Sequence, residues 1–267
     1  MVIRTLTAGD FDAVFDGFNL AFSDYQVPLT MTRDQLAEMM RRRGWVPEAS
    51  VAAFEDGKVV AFTLNGVEGD RGYDSGTGVA PTHRRQGLAR EMMRRSCDLL
   101  RERGCTTYVL EVLEENHRAA ELYRSLGFVE RRRFQCWRYE AHSLPGAQAQ
   151  REAPIDRAVD RDCWDVEPAW QNSTASIERA GDPHVLLGDE HGYAIVFPNS
   201  GDVPQLAVRR ESRRRGVGTR LLQEAAEVAG KPLRIMNVDD RDTGIAAFLE
   251  RAGATLFVRQ LEMILDL

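Results

Sequence analysis

Two periods alternate along the chain: apolar residues at every second position over short runs, and at every third or fourth position over longer ones. The first predicts strands and the second amphipathic helices. Ile3–Leu6 reads as a strand, and Thr7 with Asp10 as a capping pair for a helix whose face is Phe11, Val14, Phe15 and Phe18. Phe22–Pro28 reads as a loop, and Thr32 caps a second helix that turns Leu36, Met39 and Met40 inward and ends at Gly44. Ser50–Phe54 and Val59–Leu64 flank Glu55-Asp56-Gly57-Lys58, a hairpin signal. A loop with three glycines then leads to a strand over Tyr73–Val79.

The pattern continues with a helix to Arg103, striped by Leu88, Met92 and Leu99, and stopped by Gly104. A strand over Thr106–Val112, a helix over Asn116–Leu126 and a strand over Val129–Tyr139 follow. Residues 141–151 carry polar residues, Pro and Gly without periodicity and read as a linker. The order then restarts: a helical stripe over Val166–Ala180, a hairpin over His184–Gly188 and Tyr193–Phe197, and a strand to Val208. A helix striped by Leu221, Leu222, Ala225 and Val228 follows, then a strand over Leu233–Val238, a helix over Thr243–Ala252 and a strand over Leu256–Leu265. Gly216 lies 129 residues after Gly87, and Gly230 and Gly253 each lie 126 after Gly104 and Gly127. The second copy therefore lost about one helical turn after its first glycine and kept step from there, the mark of an internal duplication. The expected division is 1–140, a linker 141–151, and 152–267.

Each copy carries one unusual turn. Val79 leaves a strand, and Arg84, Arg85, Gln86, Gly87, Leu88 and Ala89 run straight into a helix. Val208 does the same before Arg213, Arg214, Arg215, Gly216, Val217 and Gly218. Small residues at a helix start expose free N–H groups at the positive dipole end, an anion cradle suited to phosphate.

Composition narrows the classes. The 267 residues suit two domains, and the 43% hydrophobic share supports real cores. No apolar run approaches the ~20 residues of a membrane span, and Met1–Phe11 lacks a signal-peptide pattern, so no membrane partner and a cytoplasmic location are expected. The net charge of −6, divided −1 and −5 about residue 140, weighs against nucleic acid as a partner despite the arginine runs at 41–43, 131–133 and 213–215. Cys97, Cys105, Cys136 and Cys163 fit no zinc spacing and read as reduced thiols; His83 and His117 have no ligand partner, so no metal is expected.

R-x-x-G-x-A at Arg84, Gly87 and Ala89, followed by N-x-x-A-x-x-x-Y-x-x-x-G-F at Asn116, Ala119, Tyr123, Gly127 and Phe128, resembles the GNAT superfamily of N-acetyltransferases. The repeat resembles a tandem GNAT arrangement. The resemblance implies an α/β (α+β) fold of two GNAT-like domains, each a mixed twisted sheet with helices on both faces. It implies acetyl-CoA as co-substrate, held at Val79, Arg84, Arg85, Gln86, Gly87, Leu88, Ala89 and Asn116, with Val208 and residues 213–218 as the second cradle. It implies transfer of the acetyl group to a primary amine, a small molecule or a peptide N-terminus, by direct attack in a ternary complex. The LEV-to-LY spacing is similar to that of ribosomal-protein alanine N-acetyltransferases, which assigns Glu111 as base and Tyr123 as acid. Asp74 is a rival base, a water relay is another route, and Glu111 is also readable as a solvated strand-end carboxylate. Phe22 and Tyr25 fall where the family places its acceptor loop; core packing is the competing use. In the second copy Asn237 and Leu249 stand where Glu111 and Tyr123 would be, so that half is expected to be non-catalytic. A CoA-binding sensor or scaffold without turnover remains the alternative, and the tandem chain fits a monomer or a homodimer.

Overall fold

Thr32 shows how directly the local code is used. Its Oγ1 accepts from Gln35 N at 3.3 Å while Gln35 Oε1 accepts from Thr32 N at 2.9 Å, a closed capping box at the start of helix α2 (Arg33–Arg42). The structure, a computed structural model, describes residues 1–24, 29–140 and 163–267; the linker expected over 141–151 lies outside the described residues.

The described chain forms two compact units, one of residues 1–131 and 261–267, the other of residues 132–260. In the first unit, strands β1 (Val2–Thr5), β2 (Val51–Glu55), β3 (Lys58–Glu68) and β4 (Arg71–Val79) pair antiparallel in sequence order, and β5 (Thr107–Leu113) runs parallel to β4. The loop expected ahead of β4 is a tight turn instead: β3 reaches Glu68, β4 starts at Arg71, and Gly69 at φ +58° makes the reversal. One face carries α1 (Phe11–Ala21) and α2 over Phe62 and Leu64. The other carries α3 (Leu88–Glu102) and α4 (His117–Ser125) over Tyr108, Leu110 and Val112.

Leu261 and Met263 belong to that same core, and Leu267 N donates to Thr106 O at 2.9 Å. The second half of the chain's last strand, β11 (Thr255–Asp266), therefore belongs to the first unit's core, while its first half, to Gln260, belongs to the second unit. Reciprocally, β6 (Val129–Tyr139) supplies Trp137 and Tyr139 to the second unit's core and pairs antiparallel with β10 (Leu233–Asp239). The division expected at residue 140 keeps each last strand with its own copy; the compact units instead divide β6 at Arg131/Arg132 and β11 at Gln260/Leu261. Alternating apolar residues mark a strand without naming the edge it joins.

The second unit continues from β10 through β9 (Asp202–Val208) and β8 (Gly192–Phe197) to β7 (Val185–Asp189). Helices α6 (Val217–Ala229) and α7 (Thr243–Arg251) cover one face, and Ile177 with Cys163 the other. The helix expected over Val166–Ala180 is only α5 (Thr174–Arg179) after a short turn at Trp170–Asn172. Pro168 disfavours helix in the residue before it, and Ser173 caps α5 by accepting from Ser176 N at 3.1 Å. All four cysteines are buried and unbridged, and burial pushes the Cys97 thiol up to about 11. No helix among the described residues is long and apolar enough to cross a membrane.

Candidate active site

The parallel ladder between β4 and β5 runs from Arg71↔Thr107 to Asp74↔Leu110 and ends there. Past that point β4 continues to Val79 paired with β3 alone, so its other edge faces a slot between the two strands. The parting coincides with a bulge: Leu64 pairs with Gly76 but Asn65 pairs with Asp74, leaving Ser75 as the extra residue.

Glu111 is the first β5 residue past the last pair. Tyr108, Leu110 and Val112 point into the α3–α4 core, so alternation turns Glu111 to the opposite face. Tyr73 shares that face, because the Cβ position of its neighbour Gly72 is filled by Leu100 of α3. Tyr73 Oη donates to Glu111 Oε2 at 3.1 Å. Burial, with Glu111 beside it, holds the Tyr73 phenol far above its ordinary range, so it stays a donor. Tyr123 lies on α4, 7% exposed, edge-on to Phe128 and in the core with Tyr108 and Leu110. The structure thus sets Glu111 and Tyr123 on opposite faces of the sheet.

Asp74 is 7% exposed and both its oxygens are engaged, Oδ1 by Gly76 N and Oδ2 by Thr77 Oγ1, each at 2.8 Å. Burial outweighs these hydrogen bonds and pushes its carboxyl up to about 6.

At the end of β4 the chain passes Arg85 at φ +66° and Gly87 at φ +81° before α3 begins. A Cβ on Gly87 would meet nothing within 4 Å, so glycine is there for its left-handed backbone and not for close approach. Gly87 caps α3 without a side chain, leaving the first amides of the helix for another acceptor. Arg85, Gln86 and Gly87 are exposed, Ala89 is half-buried, and Leu88 anchors the turn in the core. Arg84 is placed differently from the expectation. Its guanidinium donates to both Asp24 oxygens at 2.7 and 2.6 Å, to Ala21 O at 3.0 Å and to Val79 O at 3.1 Å. It braces the cradle against the end of α1. Asn116 is likewise a structural cap, its Oδ1 accepting from Ala119 N at 3.2 Å. Phe22 packs against Phe18 and Phe62, with ring centroids 4.8 and 6.1 Å away, which is the core use; Tyr25 lies outside the described residues.

The second cradle repeats this geometry, with Arg214 at φ +61° and Gly216 at φ +86°. Arg213 repeats the brace, donating to Val208 O at 2.9 Å and Asp165 Oδ2 at 2.6 Å. Arg214, Gly216, Val217 and Gly218 line a cavity of about 340 Å³ with Asp242 and Arg251, while Arg215 is exposed. Asp242 caps α7 through Ile245 N at 3.1 Å, so it keeps the job of Asn116. The residues at the Glu111 and Tyr123 positions differ. Leu249 is fully buried, and Asn237 at φ +55° accepts from Gln260 Nε2 at 3.3 Å. The bulge itself recurs, with Ile195 paired to Gln205 and Phe197 to Asp202, but Val203 and Pro204 occupy the places of Asp74 and Ser75.

The description Acetyltransferase (GNAT) family matches residues 14–128 and 157–254, one stretch in each copy. The chain belongs to the GNAT family. Among GNAT relatives, the ribosomal protein bS18-alanine N-acetyltransferase of Escherichia coli is 40% identical over 76 residues, covering 28% of this chain and 51% of that one. Mycothiol acetyltransferase of Thermobifida fusca is 32% identical over 119 residues, 40% of this chain and 37% of its own. The chain spans about half the length or less of these curated relatives. Among solved GNAT structures, a GCN5-related N-acetyltransferase from Sphaerobacter thermophilus superposes with a TM-score of 0.77 at 16% identity, over 99% of this chain and 95% of its own. A tandem GNAT protein from the clavulanic acid biosynthesis pathway gives 0.72 at 17% identity, over 99% and 98%. These two share the fold.

Proposed function

We propose that the chain is an acetyl-CoA-dependent N-acetyltransferase whose reaction runs in the first unit. The carrying observation is the slot that opens past Asp74↔Leu110, with Glu111 on one face and Tyr123 on the other. Acetyl-CoA supplies the activated acyl group. The exposed amides before α3, the left-handed Gly87 and the exposed Arg85 fit its diphosphate, and the unpaired edge of β4 fits an extended arm. Glu111 takes the proton that a primary amine loses as the C–N bond forms. Tyr123 supplies a proton to the departing sulfur as the C–S bond breaks. Separate groups for base and acid suit direct attack, because the amine and the departing sulfur are two different substituents of the tetrahedral carbon.

The second unit is proposed to hold the diphosphate end of CoA without turnover. Its cradle and 340 Å³ cavity support binding, while Leu249 and Asn237 supply neither acid nor carboxylate. Incubation with acetyl-CoA and a panel of amines and peptide N-termini, read by release of the CoA thiol, tests the enzyme. Binding of CoA with no thiol release from any amine favours the sensor instead.

A further inference from the structure

The bulge of β4 is held at more points than a bulge needs. Ser75 O accepts from Arg43 Nη1 at 2.7 Å, reaching across from the end of α2. Gly76 N donates to Asp74 Oδ1 at 2.8 Å. In a trans peptide the C=O and N–H point in opposite directions, so these two bonds grip the single Ser75–Gly76 peptide from both sides. Asp74 is itself fixed by Thr77 Oγ1, which also lies 3.1 Å from Thr63 Oγ1 and 3.6 Å from Met93 Sδ.

We propose that Arg43 and Asp74 are positioning residues that clamp the Ser75–Gly76 peptide, fixing in one orientation the backbone at the mouth of the slot. The proposal rests on the acyl-transfer reading: a ligand lying along the free edge of β4 meets the amides and carbonyls that the bulge presents, and a rotating peptide would blur them. The chain contains its own contrast. The second unit has the same bulge at the same register, built from Val203 and Pro204, with no carboxylate at the place of Asp74 to grip the following amide. The clamp and the acid–base pair are lost together there.

This separates two roles for Asp74. A base must reach the amine, but Asp74 spends both oxygens on β4 itself. The charged and titratable groups facing it are Arg43 from α2, Tyr73 on its own strand and Tyr108 from β5. Asparagine can keep the bond to Gly76 N while removing the charge; alanine cannot.

The test uses the full chain with Asp74→Asn, Asp74→Ala, Arg43→Ala and Thr77→Val. Amide hydrogen exchange over residues 72–79 without ligand is read beside kcat, KM for acetyl-CoA and the pH profile. The expected result is about tenfold faster exchange and about tenfold lower kcat in Asp74→Ala and Arg43→Ala, with a smaller change in Thr77→Val. Asp74→Asn keeps protection and most of kcat and flattens the acid limb. If Asp74→Asn abolishes transfer as completely as Asp74→Ala while protection stays intact, Asp74 is a base and the proposal is wrong. Unchanged exchange in both alanine variants also overturns it. If both alanine variants exchange faster but the wild type transfers to no amine, the clamp holds and the acyl-transfer reading alone is overturned.

Discussion

The Tyr73 phenol donates to Glu111 Oε2 at 3.1 Å from a ring only 1% exposed, so the proposed base is aimed by a residue on the neighbouring strand. Tyr73 and Val109 are cross-strand partners, and Glu111 lies two residues beyond Val109 on the same face. Tyr73→Phe removes the donor and keeps the ring. A lost hydrogen bond to a charged group predicts a fall in kcat of about tenfold or more, with KM for acetyl-CoA little changed. Steady-state kinetics with both substrates varied checks the split.

The second half of β11 makes a second prediction. Met263 is fully buried in the core that holds Tyr123 and Phe128. Met263→Ala is expected to cost about 2–5 kcal/mol and to act on the first unit, although the residue is near the end of the sequence. Calorimetry of the full-length variant, with and without CoA, reads this as a lowered transition and weaker ligand stabilisation.

Asp74 predicts a pH-dependent stability difference. Its carboxyl is raised from 3.8 to about 6, so the folded chain binds a proton more tightly than the unfolded chain between those values. Stability therefore declines as pH rises through about 4 to 6 and is flat in this contribution above that. At 1.36 kcal/mol per pKa unit the full effect is about 3 kcal/mol. Asp74→Asn carries no such titration, so it gains on the wild type from pH 4 to pH 6. Denaturant titrations at pH 4, 5, 6 and 7 measure it.

The two cradles can be separated by one change in each. Gly87 and Gly216 both sit at positive φ with open space at Cβ, so alanine costs about 1–2 kcal/mol of backbone strain at either. Gly87→Ala is expected to raise KM for acetyl-CoA several-fold. Gly216→Ala leaves transfer at the wild-type rate and weakens only the second equivalent of CoA in a binding titration.

Much of this site was legible in the residues. The glycine-marked turns, the capping boxes and the Glu111-to-Tyr123 spacing are local features, and local chemistry sets them. What escaped depends on partners far apart in the chain. Arg84 reads as a phosphate ligand until Asp24 and Ala21 O are found to occupy it. The arginine runs at 41–43 and 131–133 gave no structural signal, yet Arg43 reaches Ser75 O and Arg132 is buried, donating to Glu167 O. Asn116 reads as a cofactor contact, yet its oxygen caps a helix, as that of Asp242 does in the second copy. The division of β6 and β11 between the units was invisible because alternation gives a face and not a neighbour.

Acetyl transfer is proposed to run through Glu111 and Tyr123 of the first unit alone. The direct measurement is CoA-thiol release from acetyl-CoA with an accepted amine, comparing wild type, Glu111→Gln and Tyr123→Phe in the full chain. The account predicts steady release by the wild type and a fall of about a hundredfold or more in each variant, with CoA binding retained. Release by the two variants together in one chain at near the wild-type rate would contradict it.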